Sequence, residues 1–138
     1  ERTEYDGGAA RFLGATFEPT PFHRLQAVFD VLDREGLSVA EIHGHVVALQ
    51  ERFLEQVSAG RAGPLCVDEL MPGRSEVSGA RRGHFLTFRR SDAQALQRRL
   101  LAARVVTDAR ADRLRFGFGL YQRQADVDRL VERLASLD

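Results

Sequence analysis

Hydrophobic residues recur at helical spacing in the first half of the chain and predict two long helices. Over about 21–35 the apolar residues fall three or four positions apart, and Gly36 ends the pattern. Thr20 is expected to cap this helix, and Pro21 suits its first turn, where the missing N–H costs nothing. A second apolar stripe predicts a helix over about 39–59. Two consecutive helices therefore open the predicted fold.

The second half of the chain has the pattern of short strands separated by helices. A brief strand is expected at 65–67 and a clearer one at 84–88, with two more at 105–109 and 112–118 joined by a turn at Arg110 and Ala111. One amphipathic helix follows the second strand and another closes the chain. The pattern predicts an α+β fold, in which two consecutive long helices precede a small, mainly antiparallel sheet covered by helices.

Composition narrows the class of protein. A chain of 138 residues that is 43% hydrophobic and 29% charged fits one ordinary soluble domain. Basic and acidic residues cancel at 20 each, which disfavours general nucleic-acid binding. No apolar run approaches the roughly 20 residues that span a bilayer. We therefore expect a cytoplasmic protein without membrane or nucleic-acid partners.

Arginine pairs flank one predicted strand, at 81–82 and at 89–90, with Phe85 and Phe88 between them. Interleaved cations and aromatic rings could form an RNA-binding surface. The neutral total charge favours a solvated sheet edge instead, with both phenylalanines in the core.

The chain has little of the usual catalytic chemistry. All 20 basic residues are arginine, so no lysine is available for covalent catalysis. Cys66 is the single cysteine, and its apolar neighbours favour a buried hydrophobe over a nucleophile. His43 and His45 are two positions apart, which does not suit a helical metal pair, so we expect no metal site.

The segment "LRFGFGLY", at 114–121, contains the most suggestive single residue. In a strand, Arg115 points away from the phenylalanines and shares its face with Gly117 and Gly119. Arginine is common on the wet face of a sheet. Without bulky neighbours, however, the guanidinium could also bind a carboxylate through two hydrogen bonds.

A second candidate is "GATFEPT", at 14–20, which lies ahead of the first helix. Its N–H groups, together with the hydroxyls of Thr16 or Thr20, could bind a phosphate. A capped loop is the simpler interpretation. The segment lacks the glycine spacing and the lysine of a P-loop.

Several segments, in order, resemble class V PLP-dependent enzymes, and the kynureninase branch most of all. The similarity lies in "RFLGATFEPTPFHRLQAVFDVLDREGLS", "RRGHFLTF", "VVTDAR" and "LRFGFGLYQRQADVDRLVERL". The resemblance implies that 1–36 forms the end of a large domain with the first helix. It also implies that 37–138 forms the C-terminal small domain of a fold-type I enzyme.

The resemblance also implies roles for three residues. Arg115 would bind the α-carboxylate of an amino-acid substrate, and Thr16, with Ala15 beside it, would reach the cofactor phosphate of the neighbouring subunit in a homodimer. Pyridoxal 5'-phosphate would bind an N-terminal large domain that supplies the Schiff-base lysine. This lysine-free chain is expected to be inactive alone and to bind no cofactor.

The implied activity is hydrolytic cleavage of the Cβ–Cγ bond of an amino acid. Kynureninases usually have a proline before "LY", and this chain is one residue shorter there. Other class V activities therefore stay open: aminotransferase, cysteine desulfurase, selenocysteine lyase or epimerase. So does a domain without enzymatic activity that docks on a partner.

Overall fold

The structure is a computed structural model that describes Glu4 and residues 7–12, 18–73 and 81–137. Contacts divide the chain into two compact units, Glu1–Ser38 and Val39–Asp138. The first unit contains a short 3-10 helix and helix α1, and the second contains all the strands and the other helices. In chain order the elements are a 3-10 helix at Ala9–Phe12, α1 at Thr20–Arg34, α2 at Val39–Ser58, a 3-10 helix at Val67–Glu69, β1 at Leu70–Met71, β2 at Phe85–Arg89, α3 at Ala93–Ala102, β3 at Asp108–Arg110, β4 at Arg113–Gly117 and α4 at Gln124–Ala135.

The start of α1 differs from the expectation by one residue. Pro19 occupies the N-cap position, and Thr20 is the first helical residue. The Thr20 backbone N–H donates a hydrogen bond to the Glu18 carboxylate at 3.0 Å, and its hydroxyl donates to the same oxygen. The prediction that Thr20 caps the helix was therefore wrong, since the threonine bonds backwards to Glu18 and leaves the first turn uncapped by a side chain.

The four strands found in the described residues form one antiparallel sheet in the order β1-β2-β4-β3. Strands β3 and β4 form a hairpin, and α3 connects β2 to β3 across the helical face of the sheet. The α+β fold class is confirmed. The brief strand forms at Leu70–Met71 and not at 65–67, where the chain instead leads into a 3-10 helix.

Helices cover one face of the sheet and enclose the core. Helix α2 packs against α4, and α3 packs against β3 and β4. Four phenylalanine rings meet at the centre, with centroids 5.4 to 6.3 Å apart. These rings belong to Phe53, Phe88, Phe116 and Phe118, all of them buried. Since Phe53 belongs to α2, this aromatic packing holds α2 on the sheet.

The opposite face of the sheet carries side chains that are largely open. Phe85 lies there and is 51% exposed, so its expected place in the core was wrong, whereas Phe88 is buried as expected. The reason is strand alternation, because Leu86 and Phe88 take the two core positions of β2.

The arginine pairs do not form one solvated edge. The side chain of Arg82 is only 10% exposed and forms an ion pair with Glu51 at 2.6 Å. Arg90 is 9% exposed and pairs with Glu69 and Asp92, each at 2.8 Å. One member of each pair is thus committed to internal structure, because a buried guanidinium needs acceptors for its donors.

Candidate functional site

Arg115 lies near the middle of β4 and points to the open face of the sheet. Leu114 and Phe116 on either side of it are buried in the core, as strand alternation requires. The Arg115 side chain is 32% exposed. The predicted accessibility of this guanidinium is therefore seen in the structure.

The two neighbouring strands place one side chain on each flank of Arg115. The register sets Thr87 of β2 and Asp108 of β3 directly opposite it. Asp108 Oδ2 lies 3.6 Å from Arg115 Nη1, which is an ion pair too long for a hydrogen bond. The same oxygen accepts a hydrogen bond from Arg110 Nε at 3.1 Å. Asp108 therefore attracts the Arg115 guanidinium without accepting a hydrogen bond from it.

Phe85 lies beside the guanidinium on the β2 side. The Arg115 Cζ atom is 5.3 Å from the centroid of the Phe85 ring, within the range of a cation–π contact. The exposed ring thus restricts where the guanidinium can rest. Its exposure follows from strand alternation, which puts Phe85 on the same face as Arg115 and away from the core.

The hydrogen-bonding capacity of Arg115 is unused. A guanidinium carries five N–H donors, and in the described part of the chain none of them reaches an acceptor at hydrogen-bond distance. The Nε atom is buried and has no partner there. An incoming oxyanion would therefore meet the exposed part of the guanidinium, whose donors have no acceptor in the described residues.

The space next to Arg115 differs from the sequence-based expectation that Gly117 and Gly119 both leave room beside it. A Cβ added to Gly117 would meet nothing within 4 Å, so this position leaves open room on the site face. A Cβ on Gly119 would instead lie 2.7 Å from the Tyr121 ring. Gly119 therefore accommodates Tyr121, whereas Gly117 leaves open space on the Arg115 face.

The arrangement suits recognition of a carboxylate and not proton transfer. A planar guanidinium matches the two oxygens of a carboxylate. The nearest carboxylate, Asp108, is already shared between two arginines. The site can therefore hold and orient an anionic ligand.

The second sequence candidate falls mostly outside the described residues. Gly14, Ala15, Thr16 and Phe17 are among those not described. Of the same segment, Thr20 is described, and its hydroxyl already donates to Glu18. This hydrogen bond lowers the pKa of the Glu18 carboxyl below its usual value, which keeps a negative charge there. Thr20 is thus a poor partner for a phosphate.

The cysteine and histidines do not converge on a catalytic group. Cys66 is exposed, so its expected burial was wrong; the chain there lies at the start of a surface 3-10 turn. His43 stacks on His84 with ring centroids 5.9 Å apart, and His45 Nε2 lies 2.9 Å from the Gln122 carbonyl oxygen. Within the described ranges, no three His, Cys, Asp or Glu side chains cluster in a way that could hold a metal ion.

Sequence reasoning missed Phe85 and Asp108, the two side chains that set the environment of Arg115. The signal for Asp108 lay in the hairpin, because the turn fixes which residue of β3 faces Arg115. The signal for Phe85 lay in the alternation of "FLTF", where two phenylalanines three apart must point to opposite faces.

These features define a class of domain: an antiparallel sheet backed by helices on one face, with a partly exposed arginine on the other face. The family model described as "Kynureninase C-terminal domain" matches residues 42–134, which is more than half of the chain. The chain belongs to this family, as its sequence resemblance indicated. No curated protein shows significant similarity to it.

Family membership carries two consequences at once. It implies PLP as the cofactor of the full-length enzyme, and it implies a larger N-terminal domain as the partner of this one. Among the described helices, none has both the length and the apolar composition needed to cross a membrane.

Proposed function

We propose that the full-length protein is a PLP-dependent enzyme that cleaves the Cβ–Cγ bond of an amino acid by hydrolysis, and that Arg115 binds the α-carboxylate of this substrate. The observation that carries the proposal is the unused guanidinium on the open sheet face, inside the segment that the kynureninase family model matches. An amino acid offers the carboxylate that this guanidinium lacks.

The contribution of Arg115 is orientation. PLP, when bound, supplies an electron sink for the bonds at the substrate's Cα. Which of these bonds reacts depends on how the substrate is held, and a carboxylate fixed through two hydrogen bonds has little freedom to rotate. Phe85 and Asp108 then hold the guanidinium from opposite flanks, so the anchor itself is restrained.

The residues of this chain do not fit the covalent attachment of PLP. The chain contains no lysine, so the lysine must come from the N-terminal domain that the family implies. We further propose that Thr16, next to Ala15, contacts the cofactor phosphate of the neighbouring subunit in a cytoplasmic homodimer. That contact would add a hydroxyl donor to an anion site built by other segments.

The division of the chain follows from the same proposal. Residues 1–36 would belong with the large domain, and 37–138 would form the small domain. Two observations support a boundary in this region: the contact units meet between Ser38 and Val39, and the family match begins at residue 42.

The test replaces Arg115 in the full-length, PLP-loaded enzyme and measures steady-state kinetics. Two hydrogen bonds to a charged group contribute about 1.5–3 kcal/mol each, and the partial exposure of Arg115 favours the lower value. Arg115→Ala should therefore lower kcat/KM by about a hundredfold, mostly through KM. Arg115→Lys should recover only part of this loss, because an ammonium cannot match both carboxylate oxygens.

Arg113→Ala is the matched control, since Arg113 lies on the same strand and face but two residues away. It should leave KM within about twofold, as expected for an exposed charge without a ligand contact. The PLP absorbance should be unchanged in all variants. Kinetics of Arg115→Ala equal to those of the control would remove Arg115 from the site, and identification of the products separates hydrolytic cleavage from transamination, desulfuration or racemisation.

A further inference from the structure

A groove of about 520 Å³ opens at the end of β4, where Phe116, Gly117 and Phe118 line it and Arg115 does not. It lies where β4 extends beyond β3, because β3 pairs only with residues 113–115 and β4 continues to Gly117. The chain between α3 and β3 forms one wall, and α4 forms the other. Its volume lies in the range of small-molecule sites in proteins.

The floor of this groove is apolar. Phe116, Phe118 and Val127 lie at its base and are almost fully buried. Tyr121 and Val106 stand at the rim, and they are 81% and 85% exposed. An apolar ligand body would cover side chains that now face water, which is favourable in proportion to the area removed from water.

The rim of the groove carries an excess of positive charge. Arg129 forms an ion pair with Asp126, so that charge is balanced. Arg133 Nη1 donates to the backbone carbonyl oxygen of Arg104 at 2.8 Å, a partner without formal charge. Arg104 also lines the groove, and its guanidinium has no hydrogen bond or ion pair to any described residue.

The backbone at Arg104 gives an independent reason to single it out. Its φ is 60°, in the left-handed region, directly after α3. Hydrogen bonds from Arg104 N to the Leu101 oxygen and from Val105 N to the Leu100 oxygen close this helix end, a place where glycine is the usual residue. An arginine in this position costs conformational energy that glycine would avoid. Because glycine would suit this backbone better, the presence of an arginine side chain at position 104 is what needs an explanation.

We propose that this groove binds a small organic anion with an apolar body and one oxyanion head group, and that Arg104 contacts the head group. The apolar floor accepts the body, and the excess charge at the rim accepts the head group. This site is separate from Arg115 and does not depend on the PLP chemistry proposed above.

The experiment titrates the full-length, PLP-loaded protein with 2-naphthoate in a calorimeter. Saturable binding is expected, and the neutral analogue 2-naphthamide should bind at least about tenfold more weakly, since it lacks the charge that a guanidinium recognises. A parallel titration with 2-naphthyl phosphate shows whether a carboxylate or a phosphate is the better head group. Tighter binding of either the carboxylate or the phosphate would support an oxyanion site.

Arg104→Gly is the decisive variant, because it removes the cation and suits the left-handed backbone. It should weaken 2-naphthoate binding at least about tenfold while leaving the melting temperature equal or higher. Arg98→Ala, an exposed arginine of α3 outside the groove, should bind as the parent does. Arg115→Ala should also bind as the parent does, which separates this site from the substrate site.

Three outcomes would overturn the proposal. The first is no binding by either anion, as expected if another segment of the full-length protein fills the groove. The second is unchanged affinity in Arg104→Gly. The third is loss of binding in Arg115→Ala or competition by the amino-acid substrate, either of which would place the ligand at the substrate site.

Discussion

Replacement of Arg90 by methionine tests whether a buried arginine stabilises the fold by connecting the segment before β1 to the start of α3. Arg90 follows β2 directly, and its side chain is 9% exposed. It donates from Nη1 to Glu69 at 2.8 Å and from Nε and Nη2 to the two oxygens of Asp92 at 2.8 and 3.1 Å. Nη1 also donates to the carbonyl oxygen of Pro64. One side chain thus joins the segment before β1 to the start of α3.

The expected cost follows from the exposure of the partners. Breaking a buried ion pair by removing one member costs about 3–5 kcal/mol when the other charge stays buried. Here Glu69 and Asp92 retain 28% and 50% exposure, so water can solvate both carboxylates after the change. The cost should therefore lie near the lower value, about 3 kcal/mol, with the Pro64 oxygen as the group left poorly solvated. Methionine keeps the apolar stem packed, which limits any cavity contribution.

The measurement is urea unfolding of the full chain followed by far-ultraviolet circular dichroism, with Arg89→Met as the matched control. Arg89 is the preceding residue and forms one ion pair with Asp112 at 2.8 Å, but it is 64% exposed. An exposed pair of this kind contributes about 0–1 kcal/mol. Equal destabilisation by the two variants would show that burial of Arg90 does not determine its contribution and would refute the reasoning.

Two further predictions concern stability. Gly63→Ala should destabilise the chain by more than about 2 kcal/mol, because φ is 52° and the new Cβ would lie 2.2 Å from the Leu134 oxygen. The control is Gly60→Ala, where φ is 68° and the new Cβ would meet no atom within 4 Å, so the cost should be only about 1–2 kcal/mol. A similar loss at both positions, measured by urea unfolding, would show that the clash is absent. Acid should also destabilise the chain, because hydrogen bonds from Arg90 lower the pKa of Asp92 in the folded state. The stabilisation is present above the unfolded pKa of Asp92, about 3.9, and is lost as the pH falls through the folded pKa. The urea concentration at the unfolding midpoint should therefore be constant from about pH 7 to pH 5 and decrease below about pH 4. Asp92→Asn should reduce this decrease, and a variant with the same pH profile as the parent would contradict the assignment.

Much of the fold could be predicted because long amphipathic patterns leave few alternatives. The stripe of α2 begins and ends within a residue of its expected bounds, and its apolar residues Val46 and Phe53 are buried. Short elements were less predictable, since two residues of β1 carry no periodic signal. The accessible face of Arg115 could be predicted because alternation in a strand depends only on the strand's existence.

Asp108 was the harder neighbour of Arg115 to predict, because its place depends on the exact turn of the hairpin. A turn centred on Arg110 and Ala111 would set Val106 opposite Arg115. In the structure the turn lies one residue later, with Ala111 at φ 50°, and Asp108 takes that place. A shift of one residue in a turn moves the register by two, which replaces an apolar neighbour by a carboxylate. Alanine gives little sequence signal for a left-handed turn, which glycine or asparagine usually marks.

The place of Arg115 on an inner strand has a consequence for how this domain can change. Binding residues often lie on loops, which tolerate substitution and move separately from the scaffold. Arg115 lies instead on β4, with strands on both sides, so its backbone should exchange amide hydrogens as slowly as the core. A new ligand preference would therefore not arise through movement of the arginine. If Arg115 binds the substrate as proposed, such a change would have to arise through its neighbours, Phe85 and Asp108, or through the N-terminal domain.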